Sequence, residues 1–140
     1  MLRSLSWSGR EWAARLAVSL VLLANLSAAI PYLLDPAAYA GAFELSGPPG
    51  TAMVRGLAVL FLMWNATFLP VILEPVRQRT LFGVILAQQV IGVVGETWIL
   101  GSLPSGHAAL SATGLNFIVF DGVGLALLVF AFALTRRSPG

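Results

Sequence analysis

The chain has no cysteine, no lysine and one histidine, and only 10% of its 140 residues are charged. Without cysteine there are no disulfides, no thiol redox chemistry and no thiolate metal ligands. One histidine falls short of the several N, S or O ligands that zinc and haem centres gather, so no metal and no cofactor is expected. Water-soluble domains carry about 25% charged residues. A chain that is 58% hydrophobic, with mean hydropathy +0.88, would expose large sticky patches in water. The formal charge of +2 forms no basic face on a polar surface, which excludes nucleic acid as a partner.

What the chain does have is four long apolar stretches separated by short polar breaks, at about Leu16–Leu34, Ala52–Leu73, Leu81–Leu100 and Ala112–Leu134. Each is long enough to cross a hydrocarbon core of roughly 30 Å at about 1.5 Å per residue. The expected fold is all-α, an antiparallel bundle of four transmembrane helices forming one integral membrane domain over residues 1–140. Arg3, Arg10 and Arg15 precede the first stretch, Arg77 and Arg79 lie between the second and third, and Arg136 and Arg137 follow the fourth. The other two connections carry no Arg. Cationic flanks stay on the cytoplasmic side during insertion, which puts both termini inside. The all-Arg basic set amid abundant Ala, Gly and Leu is the bias of a GC-rich bacterial genome, and the expected location is a bacterial cytoplasmic membrane. Ala38-Tyr39-Ala40 has the form of a signal-cleavage site, but the preceding apolar stretch exceeds the about 7–15 residues of a signal core, so retention as an anchor is expected. Residues 1–14, with Trp7 and Trp12, read as an interfacial segment. Pro31 is placed to kink the first span, and Ser46-Gly47-Pro48-Pro49-Gly50 reads as a turn.

Polar side chains inside apolar spans are the candidates for function. An ionisable group at bilayer depth costs at least about 2.5–3.5 kcal/mol and turns toward the bundle interior. Arg55 and Glu96 lie about 5 and 6 Å below the outer ends of spans two and three. The tight turn Glu74–Thr80 makes those spans a hairpin, which predicts an Arg55–Glu96 ion pair. Asp121 is about 13 Å deep in span four, level with Asn25 in span one and Gln89 in span three. These residues predict a polar cavity in the outer half of the bundle. Asn25, Gln89 and Asp121 form its floor, Arg55, Glu96 and Asn116 its upper wall, and His107 and Glu44 its lid. Asn116 and Asp121 are about 140° apart on a regular helix, so both reach one spot only through distortion, which Gly122 and Gly124 would permit. Asn65, Gln88 and Ser27 read as helix fasteners, Trp64 and Trp98 as packing and interface residues, with a cavity wall as the alternative.

Two motifs resemble known families. Pro104-Ser105-Gly106-His107 looks like the second signature of the type-two phosphatidic acid phosphatases. That family requires a further His as nucleophile and the chain has none, so the tetrapeptide reads as a turn. Phe43-Glu44-Leu45-Ser46-Gly47, Val54-Arg55-Gly56, the inner turn Pro75–Arg79 and the late carboxylate Glu96 resemble the small four-span bacterial proteins called DoxX-like. The resemblance implies the architecture and partnership with membrane redox enzymes, and transfers no catalytic residue.

The function expected from the residues is binding of a hydrophobic small molecule in the polar cavity. Its catalytic form is cofactor-free acid–base isomerisation, cyclisation or epoxide opening of a lipid-like substrate, with Asp121 and Glu96 as the acids. Burial among apolar helices disfavours the charged form of a carboxyl group and makes it a proton donor. The alternative is a non-catalytic accessory subunit bound to a membrane protein partner, with the polar groups serving only to fasten helices. A channel is disfavoured by the lack of a charged ring or repeated half.

Overall fold

The computed structural model describes residues 8–136, so Arg3, Trp7 and Arg137 lie outside it. Its elements are helical: α1 (Gly9–Leu34), α2 (Pro36–Ala40), a 3-10 turn (Gly41–Phe43), α3 (Gly47–Asn65), α4 (Phe68–Leu73), α5 (Arg79–Ser102) and α6 (Ala108–Leu134). Four segments are long and apolar enough to cross a membrane: Gly9–Leu34, Gly47–Leu73, Arg79–Ser102 and Ala108–Leu134. The chain is a small polytopic membrane protein by helix length and composition.

Several boundaries differ from the sequence expectation for local chemical reasons. Residues 9–15 are not a separate interfacial segment but the first turns of α1. Ser8 and Glu11 close a capping box there, Glu11 N–H donating to Ser8 Oγ at 3.3 Å and Ser8 N–H to Glu11 Oε2 at 2.9 Å. Helix α1 runs through Pro31 to Leu34. Gly47–Gly50 is the first turn of α3 and not a loop, since proline is tolerated where helical N–H groups lack partners anyway. Span two is broken at residues 66–67. Pro70 has no N–H to offer the Ala66 carbonyl and its ring crowds that carbonyl, so α3 ends at Asn65 and α4 begins at Phe68. Thr67 Oγ1 donates instead to the Trp64 carbonyl at 2.8 Å.

Helix α1 packs on α3, α4 and α6, and α5 packs on α6. Helices α3 and α5 are not close neighbours, so the expected hairpin of spans two and three closes only at its base, where α4 meets α5. The main cluster of buried apolar side chains lies at that end. Val18 and Val21 of α1, Phe68 and Val71 of α4, Phe82 of α5 and Leu128 of α6 are its main buried members. Lipid is as apolar as these side chains, so dispersion and shape hold them rather than the hydrophobic effect. Phe82 and Phe132 meet edge-on at 5.3 Å. Arg79 stacks on Phe132 at 4.2 Å and donates to Thr135 Oγ1 at 3.0 Å, closing the same end. The opposite end, under residues 35–46 and 103–107, is built differently.

Candidate functional site

Beneath those connections lies a cavity of about 230 Å³. On α6, Thr113, Asn116, Phe117, Phe120 and Asp121 face it, a stripe with i, i+3, i+4, i+7, i+8 spacing. Asn116 and Asp121 stand at the two edges of this stripe, about 140° apart. No distortion of α6 is needed, because the cavity is as wide as the angle between them. Asn25, Ala28 and Tyr32 supply the α1 wall, and Phe61, Trp64 and Asn65 the α3 wall. The rings touch in sequence: Tyr32 on Phe43 at 6.0 Å, Phe43 on Phe117 at 6.2 Å, Phe117 on Phe61 at 6.1 Å, Phe61 on Trp64 at 6.5 Å. Such contacts contribute about 0.5–1.5 kcal/mol each beyond area burial and hold the walls rigid.

Two amide pairs set the floor. Asn25 Nδ2 donates to Asn65 Oδ1 at 2.8 Å, joining α1 to α3, and Asn65 Nδ2 donates to the Phe61 carbonyl at 2.7 Å. Gln89 Nε2 donates to both the carbonyl and Oδ1 of Asp121 at 3.1 Å, joining α5 to α6. Glycines make room for the second pair. A Cβ on Gly92 would stand 2.7 Å from Asp121 Oδ2, and one on Gly124 would stand 3.0 Å from Gln89 Nε2. Each helix thus offers a glycine hole to the other's polar side chain. Gly122 has open space around it and plays no such part. Gln89 Oε1 and Trp64 Nε1 are buried without a hydrogen-bond partner among the described residues.

Of the three floor residues expected from depth, Asn25 and Asp121 line the cavity, while Gln89 is buried outside the lining and hydrogen-bonds Asp121. Asn116 reaches the cavity as well. Arg55 does not: it is exposed, its Nε at 3.5 Å from the Leu33 carbonyl, and it forms no ion pair with Glu96. The physical reason is the packing order, since α3 lies against α1 rather than α5. Glu96 is half-buried on α5, outside the cavity lining, and makes no hydrogen bond to the described residues.

Glu44 and His107 form a strap over the site. Glu44 takes a left-handed backbone conformation (φ 55°) that sends its carboxylate toward the start of α6. There Oε2 meets His107 Nδ1 at 2.6 Å and Oε1 accepts from the Leu110 N–H at 3.4 Å. Thr113 Oγ1 donates to the Ala42 carbonyl at 2.7 Å, one step deeper. The hydrogen bond with His107 holds the Glu44 carboxyl below the ordinary carboxylate range, against a smaller desolvation effect.

Sequence reasoning missed the other aromatic walls and Asn65, which is a floor residue and not merely a fastener, and it placed second the cavity-wall role of Trp64, which lines the cavity. Pro70 was the available signal. A proline four residues past Ala66 breaks the helix beside Asn65. Trp98 is 77% exposed, as an interface residue would be. Among the described residues no group of three or more His, Cys, Asp or Glu could hold a metal ion. Compared with protein families, curated proteins and solved structures, the chain matches none of them.

Proposed function

We propose that this protein binds a small hydrophobic molecule in the cavity and carries out acid–base isomerisation or cyclisation on it, with Asp121 as the acid. One observation carries the reading. The Asp121 carboxyl group, anchored by Gln89 through Oδ1 and with its Oδ2 free of hydrogen bonds to the described residues, is the ionisable side chain in the lining of a cavity walled by aromatic rings. The size suits a compact ligand portion. Cavities of about 150 Å³ admit benzene, and sites for drug-sized ligands begin at about 300 Å³.

In this scheme Asp121 delivers a proton to an alkene carbon or epoxide oxygen. The cationic centre that develops faces the π-faces of Phe61, Trp64 and Phe117, which attract positive charge. For an isomerisation, a C–H bond forms at one alkene carbon, another breaks nearby, and the proton returns to Asp121. Asn25 and Asn116 orient the substrate. The Arg pattern supports both termini on the cytoplasmic face, which puts the cavity in the outer leaflet. The short motifs shared with DoxX-like proteins support the four-span architecture in a bacterial membrane.

The substrate need not be identified for the test. Membranes overproducing the wild-type protein or Asp121→Asn are incubated in D2O, and neutral lipids are examined by mass spectrometry. Deuterium entering a lipid species at carbon in the wild type, and not in Asp121→Asn, is the expected result. No incorporation with the wild type, together with a stoichiometric protein partner in native mass spectrometry, would establish the accessory-subunit alternative instead.

A further inference from the structure

The cavity has a neighbour along the α1–α6 seam. A groove of about 490 Å³ runs between α1 and α6 and shares Asn25, Asn116 and Phe120 with it. Away from that junction its lining is apolar, with Leu20 on one wall and Val119 and Val123 on the other, each 58% exposed. Along α6 it extends from Leu115 to Leu127, about 18 Å of helix. The site is therefore two-part: a compact chamber holding a carboxylate and amides, and a long hydrocarbon slot.

A second observation points to what joins the parts. Asn116 is exposed within a span and forms no hydrogen bond to the described residues. Asn25 donates to Asn65, leaving its own Oδ1 without a donor. An amide left unpaired in hydrocarbon costs on the order of several kcal/mol. Two such amides stand where chamber meets groove, so a ligand crossing the junction carries a hydrogen-bonding group there. Among the described residues no cation lines the chamber, and the charged group an anionic head would meet there is the carboxyl group of Asp121. A permanently cationic head would have to pass the apolar groove, where a charge is penalised by at least about 2.5 kcal/mol.

We infer that the ligand is an uncharged single-chain amphiphile. Its hydrogen-bonding head lies at Asn25 and Asn116 with its reactive part in the chamber, its chain occupies the α1–α6 groove, and it enters sideways from the bilayer. This rests on the cavity being a ligand site and adds the ligand class and the route.

The experiment uses the full chain in phosphatidylcholine nanodiscs and a tritiated isoprenoid alcohol, farnesol, as probe. Ala28→Phe blocks the chamber and Val123→Trp blocks the groove. Leu60→Trp, on a lipid-facing position of α3 that is 60% exposed, is the control. Val123 and Leu60 are both surface positions, so neither Trp threatens packing, and gel filtration with circular dichroism verifies the fold of all three. Saturable binding to wild type and Leu60→Trp, weakened at least tenfold by Ala28→Phe and by Val123→Trp, is expected. Loss with Ala28→Phe alone keeps the chamber as a ligand site but overturns the groove and the route. Loss with Val123→Trp alone, or no saturable binding, overturns the chamber reading itself and this inference with it. Tighter binding of dodecyltrimethylammonium, or of a fatty acid of matched length, than of the alcohol would overturn the uncharged head.

Discussion

Gly92→Ala tests whether the Gln89–Asp121 pair depends on the glycine holes that house it. The added Cβ would stand 2.7 Å from Asp121 Oδ2, with Trp64 Cη2 closing the other side at 3.4 Å. An ordinary contact requires the carboxylate to retreat by about 0.7 Å, and its bond from Gln89 already stands at 3.1 Å. Two effects oppose one another. Alanine favours a helix over glycine by about 0.8–1.0 kcal/mol. Against that stand overpacking, about 1–3 kcal/mol, and an interhelical hydrogen bond, about 0.6 and at most about 1.7 kcal/mol. Gly95→Ala isolates the second set, because it lies on the same helix and its Cβ would meet nothing within 4 Å. The expectation is that Gly92→Ala is less stable than Gly95→Ala by about 1–3 kcal/mol. Reversible SDS unfolding in mixed micelles, followed by circular dichroism, measures the difference. Equal stability of the two variants, with deuterium exchange into lipid intact in Gly92→Ala, would refute this account of how Asp121 is held.

Three further outcomes follow from other contacts. In a double-mutant cycle on Asn25→Ala and Asn65→Ala, the same unfolding assay should give a coupling of about 0.6–1.7 kcal/mol, from the bond between α1 and α3. The Glu44 carboxyl titrates below its unfolded value because of His107, so its contact is present above the ordinary carboxylate range and lost as pH falls through the lowered folded value. Hydrogen exchange over residues 36–46 should therefore stay slow at neutral and mildly acidic pH and quicken only below that range, with Glu44→Gln fast throughout. Arg79→Ala removes the stacking on Phe132 and the bond to Thr135, an expected loss of about 1–2 kcal/mol, and Arg79→Lys should recover less than half of it.

What was legible in the sequence was depth, and what was not was adjacency. Helical rise is uniform, so counting residues from the span ends puts Asn25, Gln89 and Asp121 on one level; Gln89 hydrogen-bonds Asp121, and Asn25 lines the same cavity as Asp121. The order of helices around the bundle has no such ruler. A short turn between spans two and three implied a hairpin, yet α3 settles on α1 and α5 on α6, which separates Arg55 from Glu96. The groove that receives each helix depends on shape: Gly92 and Gly124 let α5 and α6 approach with a polar pair between them. That complementarity is invisible until two helices are set side by side. Other features were written in local chemistry and not read, namely the Ser8–Glu11 capping box and the Pro70 break beside Asn65.

Whether these polar residues fasten helices or serve a ligand turns on how completely they satisfy one another. Groups kept only as fasteners would be consumed in pairs, since each orphan at bilayer depth is a cost with no return. Asn65 meets that standard: its Oδ1 accepts from Asn25 and its Nδ2 donates to Phe61. The residues on the cavity side do not. Asn25 uses its amide nitrogen and leaves its oxygen, Asp121 uses one carboxylate oxygen and leaves the other, and Asn116 uses neither group. Gln88 and Gln89 also leave an oxygen unpaired elsewhere among the described residues, but the leftover capacity of Asn25, Asn116 and Asp121 borders one hollow, from α1 across to both edges of the α6 stripe. Water could satisfy part of it, yet water gains nothing from the ring of aromatic faces or from a hydrocarbon slot joined to the chamber at two amides. A molecule that is polar at one place and apolar along its length satisfies both at once.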